Sequence, residues 1–273
     1  MSARENFLRL VARGDEDIDL AEAALWIAAE GDSNVDVARS LQQLDELAQQ
    51  ARSAVEAAPT QAGKIEALNH SLFVEARFRG SREDYYDPRN SFLNEVLERR
   101  LGIPITLSVV YVEVARRLGF DAAGVSFPGH FLAIIRGQEP VLIDAFAGRI
   151  VSEEDCIEML RATQGGSMEF APEMLEAATP REILLRILNN LKRIYFQKQS
   201  WNEALACCDR MLVLAPDAAL ELRDRGLLYQ RLECFGPALT DLEAFLELAP
   251  DHESAHAVRA ALEPLRAKAS QVH

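Results

Sequence analysis

The stretches Asp87-Pro88-Arg89-Asn90-Ser91-Phe92-Leu93-Asn94, Gly102-Ile103-Pro104-Ile105-Thr106-Leu107-Ser108, Phe127-Pro128-Gly129-His130-Phe131-Leu132 and Leu142-Ile143-Asp144 carry the architecture of this chain. In order they read as a helix entry, a strand with one histidine, and a strand ending in one aspartate. That order suits a Cys-His-Asp site, in which a thiol at a helix N-terminus meets an imidazole and a carboxylate from neighbouring strands. The four cysteines are Cys156, Cys207, Cys208 and Cys234, and none precedes His130. The chain therefore has the frame of a nucleophilic site without its usual nucleophile.

Upstream, the first 80 residues read as helical. Asp19 caps a first helix over residues 17–31 with Leu20, Ala24, Ile27 and Ala28 on one face, and Gly31 stops it. A second helix carries Val37, Leu41, Leu44, Leu47, Ala51 and Val55 at three- and four-residue steps, and a third, after Pro59-Thr60, carries Ile65, Leu68, Leu72 and Phe73. Residues 79–89 form a polar loop that leads into a short helix over 91–100. A longer helix over 104–118 follows, with Pro104 in the first turn, where its missing N–H costs nothing. Beyond Gly119 the periodicity shortens. Residues 122–127, 131–135 and 141–143 are predicted as neighbouring antiparallel strands, separated by Pro128-Gly129 and by Arg136-Gly137-Gln138-Glu139. Ser152 caps another helix, and Gly165-Gly166 opens a looser connection that marks a domain boundary near residue 170.

From Thr179 the chain turns helical again, with Thr179-Pro180-Arg181-Glu182 as a start signal. Compared with itself at an offset of 34, this part aligns Tyr195 with Tyr229, Ala204-Leu205 with Ala238-Leu239, and Leu214-Ala215-Pro216-Asp217 with Leu248-Ala249-Pro250-Asp251. The spacing resembles the tetratricopeptide repeat, although Lys192 stands where Gly226 supplies the usual small residue. Two repeats, about 185–218 and 219–252, are predicted, closed by a last helix over about 253–268. The expected division is 1–170 for the first domain with its N-terminal helices and 171–273 for the repeat domain. The fold class is α+β.

The bulk numbers exclude several functions. Net charge is −14, with 29 Lys+Arg against 43 Asp+Glu, and no basic stripe forms, so a nucleic-acid partner is not expected. The longest apolar stretch, about 101–115, contains Glu113 and is shorter than the ~20 residues a membrane helix needs. The cysteines show neither CxxC spacing nor an extracellular framework, and the N-terminus has no leader pattern, which points to reduced thiols in the cytoplasm.

His130 and Asp144 read as a His-Asp pair across adjacent strands. The helix that should present a nucleophile begins Pro104-Ile105, neither with a nucleophilic atom, and has Thr106 and Ser108 as the nearby hydroxyls. Their alternative role is hydrogen bonding at the helix start. In the loop, Tyr86, Asp87, Arg89, Asn90 and Asn94 are candidate binding residues, with Arg89 suited either to a partner carboxylate or to an internal ion pair. Glu83, Asp84 and Asp87 lack His or Cys neighbours and EF-hand spacing, so no metal is expected, and no cofactor.

Taken together, the run from Tyr85 to Leu97, then Gly102-Ile103-Pro104-Ile105 and Pro128-Gly129-His130-Phe131-Leu132, closely resembles the SirB-type bacterial proteins, transglutaminase-like with tetratricopeptide repeats. The resemblance covers nearly the whole chain. It implies a transglutaminase-like (papain-like) core containing His130 and Asp144, a small antiparallel sheet and an all-α repeat domain. Two functions follow as expectations. One is a non-catalytic binding or regulatory scaffold, holding a protein or peptide in the worn cleft and the repeat groove. The other is a hydrolase or acyl-transferase using Ser108 or Thr106 with His130 and Asp144.

Overall fold

The computed structural model describes residues 1–165 and 168–270; Gly166, half of the expected Gly165-Gly166 break, lies outside the described residues. The chain divides into two compact units, Met1–Ile187 and Leu188–His273.

The first unit opens with a helix the periodicity did not mark, α1 (Ala3–Val11), which buries Phe7, Leu10 and Val11. Its start is a reciprocal cap: Glu5 N–H donates to Ser2 Oγ, and Ser2 N–H donates to Glu5 Oε2 at 2.8 Å. Helix α2 (Leu20–Gly31) begins after Asp19, which accepts from Glu22 N–H, and residues 15–17 form a separate 3₁₀ turn instead of its first turn. Helix α3 (Val37–Ala57) and α4 (Gln61–Asn69) follow, capped by Asp36 and Thr60. The chain then widens into a π-helical turn over His70–Glu75.

Two short strands, β1 (Arg79–Gly80) and β2 (Leu101–Gly102), pair in parallel and bracket α5 (Leu93–Arg99). Helix α6 (Pro104–Arg117) is buried from Pro104 to Ala115. It packs against a four-stranded antiparallel meander of β3 (Ala122–Val125), β4 (Leu132–Ile135), β5 (Val141–Asp144) and β6 (Arg149–Val151). The expected strands are present, β6 is an addition, and the sheet is covered on both faces. On the other face Val125, Phe127, Leu132, Leu142 and Val151 cluster with Cys156 and Leu160 of α7 (Glu153–Gln164). Such two-sided burial explains why the strands read as unbroken apolar runs and not as alternating ones.

Asp155 ties α7 to the sheet. Its carboxylate accepts from Ser152 N–H and pairs with Arg149 of β6 at 2.9 Å. The Arg149 contact and the Ser152 N–H together bring this carboxyl down to about 2. A carboxyl depressed in the folded state stabilises above its ordinary value, 3.8, and loses that contribution as pH falls through about 2. Asp155→Asn is therefore expected to be less stable than wild type at neutral pH and to flatten the acid limb of the stability curve, the two converging as pH falls through about 2, measured by far-UV circular dichroism against temperature at each pH.

Helix α8 (Pro180–Lys198) spans the division between the units. In the second unit, the end of α8 is followed by α9 (Trp201–Leu214), α10 (Ala219–Arg231), α11 (Phe235–Leu248) and α12 (Ala255–Ala269). The last of these is the closing helix. The two repeats solve one contact differently. In the second, a Cβ on Gly226 would lie 2.7 Å from Leu242 Cγ, so only a glycine lets these helices meet. In the first, Lys192 occupies the glycine's place and Cys208 that of Leu242. Lys192 Nζ then donates to Glu221 at 2.7 Å and to Asp224 at 2.9 Å. Burial pulls the Lys192 pKa down, but the two carboxylates outweigh it and leave it raised, so the ammonium is fully charged at neutral pH. Arg225 makes a comparable junction, bidentate to Asp241 and single to Asp209.

Candidate functional site

The meander brings His130 and Asp144 to the same end of the sheet. In the β4–β5 register Ala133 faces Ile143, so one more step along the ladder brings the start of β4 opposite Asp144. His130 lies in the turn just before β4 and not in the strand, because Gly129 adopts a left-handed φ of +73° that turns the chain ahead of it. The His130 Nε2 atom sits 3.1 Å from Asp144 Oδ1, with side-chain exposures of 15% and 8%. Nε2 is buried, and the carboxylate lies out of line for a directed N–H bond, so the contact is chiefly electrostatic. Oδ1 also accepts from the backbone N–H groups of Phe146 at 2.9 Å and Ala147 at 3.0 Å. Burial pushes the Asp144 carboxyl up, yet His130 and these two donors outweigh it and hold it below its ordinary value.

Aromatic rings surround the pair. Phe146 meets the His130 ring edge-on at 6.3 Å and the Tyr85 ring at the same distance, and Tyr85 in turn packs against Tyr86 at 5.3 Å. Arg82 lies 5.9 Å over Phe146. Tyr86 is 58% exposed, so the aromatic run leads from the buried pair to the surface. The Phe146 ring fits only because residue 80 has no side chain: a Cβ on Gly80 would lie 2.4 Å from Phe146 Cε2. Gly80→Ala is thus expected to displace the ring and cost about 1–3 kcal/mol, seen as a lowered melting temperature and a shifted His130 ring signal in NMR. An unchanged histidine signal would separate Phe146 from the site.

The hydroxyls of α6 are engaged elsewhere. Thr106 Oγ1 donates to the Asn90 carbonyl at 2.7 Å and accepts from Ile103 N–H, which fastens the polar loop to the helix start. Ser108, fully buried, donates to the Phe131 carbonyl at 3.4 Å. Among the described residues neither hydroxyl reaches the His130 ring. Asn90 is also fully buried: its amide donates to the Asp84 carbonyl at 2.6 Å and its oxygen accepts from Arg99. Arg89 folds back on Asp87, at 2.6 Å, and holds that carboxyl below the usual range. Asn94 Oδ1 is buried with no partner among the described residues. The structure thus joins His130 to Asp144, Thr106 to Asn90 and Arg89 to Asp87, and leaves Tyr86 at the open side.

Sequence reasoning missed Arg186 of α8. Its guanidinium donates to Ser126 Oγ at 2.6 Å, to the Phe127 carbonyl at 3.2 Å and to the His130 carbonyl, while lying 5.4 Å over the Phe131 ring. It clamps the turn that presents His130. No local pattern announces such a residue, since it is 56 positions away along the chain.

The cysteines stand apart from this chemistry. Cys156 is within the first turns of α7, but burial and the nearby Asp155 and Glu153 push its thiol up to about 11. Cys207 and Cys208 are buried in the repeat unit, and all four cysteines are unpaired by disulfides. Among the described residues no helix is long and apolar enough to cross a membrane.

The transglutaminase-like superfamily matches residues 38–189, and the tetratricopeptide repeat matches residues 191–263. A UPF0162 protein of Xylella fastidiosa is 39% identical over 95% of this chain and 94% of its own length. A UPF0162 protein of Vibrio cholerae is 32% identical over 90% and 93%. Protein SirB1 of Salmonella typhimurium is 29% identical over 85% and 87%. A solved tetratricopeptide repeat protein from Parabacteroides merdae, 18% identical, aligns 83% of this chain with 61% of its own length at a TM-score of 0.30. With its His-Asp pair at one end of a covered meander and helical repeats following it in the chain, the chain belongs to the transglutaminase-like superfamily, among the bacterial UPF0162 and SirB1 proteins.

Proposed function

We propose that this protein is a non-catalytic protein-binding regulator, in which the His130–Asp144 cleft receives a segment of a protein partner and the repeat unit adds a second contact surface. The observation that carries this reading is the engagement of both α6 hydroxyls with backbone carbonyls, Thr106 with Asn90 and Ser108 with Phe131. A serine or threonine attacks only when an aligned base takes its proton. Here the base stands beside its carboxylate with no acceptor role toward either hydroxyl. What the site does offer is a surface: an imidazole edge, the Phe146 and Tyr85 rings and an exposed Tyr86, amphipathic groups of the kind that anchor peptide side chains. The four cysteines, none in a disulfide, favour a reducing cytoplasm as its location.

A photo-crosslinking residue placed at Tyr86 of the intact chain tests this reading. The expected result is a protein adduct formed in the native cytoplasm that is largely lost when His130→Ala is added, with the far-UV spectrum unchanged. Crosslinking that survives His130→Ala, or turnover of an ester or amide substrate abolished by it, would overturn the reading.

A further inference from the structure

The repeat unit carries a groove of about 500 Å³ that lies apart from the residues discussed above. Phe196, Trp201, Leu227 and Leu228 form its apolar part, and Arg231 and Lys268 supply its charge. No acidic residue lines it. That is unusual for a chain of net charge −14, in which Lys192, Arg225 and Arg266 of the same unit all sit against carboxylates. Among the described residues, Arg231 and Lys268 have no carboxylate within ion-pair distance. Each lies over a ring instead, Arg231 at 4.4 Å from the Trp201 centroid and Lys268 at 5.5 Å from that of Phe235.

A guanidinium stacked on an indole keeps its in-plane N–H fork open, and that fork matches a carboxylate. Beside it Leu227 is 42% exposed, an apolar side chain that the fold leaves at the surface. A complementary ligand therefore combines one apolar side chain with at least two carboxylates a few ångströms away. An anionic bilayer or a nucleic acid also offers negative charge, but either would spread it over the whole acidic surface, where it is repelled. A short peptide meets only the local field, because screening confines the interaction to about 8–10 Å at physiological salt.

We propose that this groove binds a short acidic segment of a partner protein, with an aromatic or leucine side chain seated on Phe196, Trp201, Leu227 and Leu228 and carboxylates on Arg231 and Lys268. The proposal rests on the repeat unit's part in the function proposed above and makes no use of the cleft.

The test is calorimetric titration of the intact chain with the blocked peptide Ac-SDEFDS-NH2 and with its neutral counterpart Ac-SNQFNS-NH2. The acidic peptide is expected to bind about tenfold more tightly than the neutral one, the size of two exposed ion pairs. Arg231→Gln with Lys268→Gln should remove that tenfold, and Leu227→Glu should abolish binding, each with the circular dichroism spectrum retained. His130→Ala should leave the affinity unchanged, so a failure of the cleft reading is visible separately. The proposal is overturned if the neutral peptide binds as tightly, if the double variant keeps the preference, if neither peptide binds at about 1 mM, where favourable free energy falls to roughly 4 kcal/mol, or if phosphatidylglycerol vesicles bind and the acidic peptide does not.

Discussion

Lys192→Met is expected to destabilise the repeat unit by about 3 kcal/mol, the lower end of the range for breaking a buried ion pair. The lysine is 5% exposed and holds the carboxylates of Glu221 and Asp224 between α8 and α10. Without it both carboxylates stay half-buried, and only Asp224 retains a cation, Arg223 at 2.7 Å. That residual partner is the reason for choosing the lower end. The effect is local, so it is best read by hydrogen exchange on the intact chain, where amides of α10 should exchange about a hundredfold faster. Adding Glu221→Gln and Asp224→Asn should recover most of the loss, because the cost lies in unpaired charge and not in missing contacts. Because the Lys192 pKa is raised, the wild-type contribution is complete below its ordinary value of 10.5 and fades as pH rises through the folded value. Unchanged exchange in α10 would mean that the ion pairs contribute nothing there.

Asp144→Ala is expected to cost roughly 2–4 kcal/mol, since it leaves two backbone donors without their acceptor. Those donors are the N–H groups of Phe146 and Ala147, and His130 loses its carboxylate neighbour in the same step. Asp144→Asn keeps an oxygen in place and should cost less. The sign of the pH dependence follows from the lowered Asp144 pKa. Its stabilisation is present above its ordinary value of 3.8 and disappears as pH falls through the lowered folded value, so wild type and Asp144→Asn should differ at pH 7 and converge in acid. Thermal unfolding across that range checks it. A gap that persists in acid would show that Asp144 acts through packing and not through charge.

Much of this architecture was legible because its signals are local. Pro104 at a helix start, the apolar runs of β3 to β5, and the 34-residue offset that aligns Ala204 with Ala238 each depend on a few neighbouring residues. Order along the chain also placed His130 near Asp144, since an antiparallel meander brings the start of one strand to the end of the next. What escaped lies in three kinds of contact. The parallel pairing of Arg79–Gly80 with Leu101–Gly102 is two residues long and has no period to detect. Arg186 reaches the site through tertiary packing alone, and the requirement for glycine at position 80 becomes clear only with the Phe146 ring beside it. Helix α1 is different, because Ser2 and Glu5 spell a capping box ahead of Phe7 and Leu10 that the sequence displays openly. The Lys192–Cys208 exchange for Gly226–Leu242 is likewise written in the repeat alignment, but its meaning needs the buried carboxylates of α10.

The central claim is that His130 and Asp144 persist as part of a binding surface without a nucleophile to activate. Intact-mass measurement after treatment with a fluorophosphonate, in parallel with iodoacetamide at mildly acidic pH, addresses it most directly. The account predicts no fluorophosphonate adduct on Ser108 or Thr106, and no fast thiol labelling that depends on His130, because both hydroxyls are buried on carbonyl partners and burial holds Cys156 at about 11. A stoichiometric adduct on Ser108, Thr106 or a cysteine that vanishes in a folded His130→Ala variant would contradict it and make the protein an enzyme.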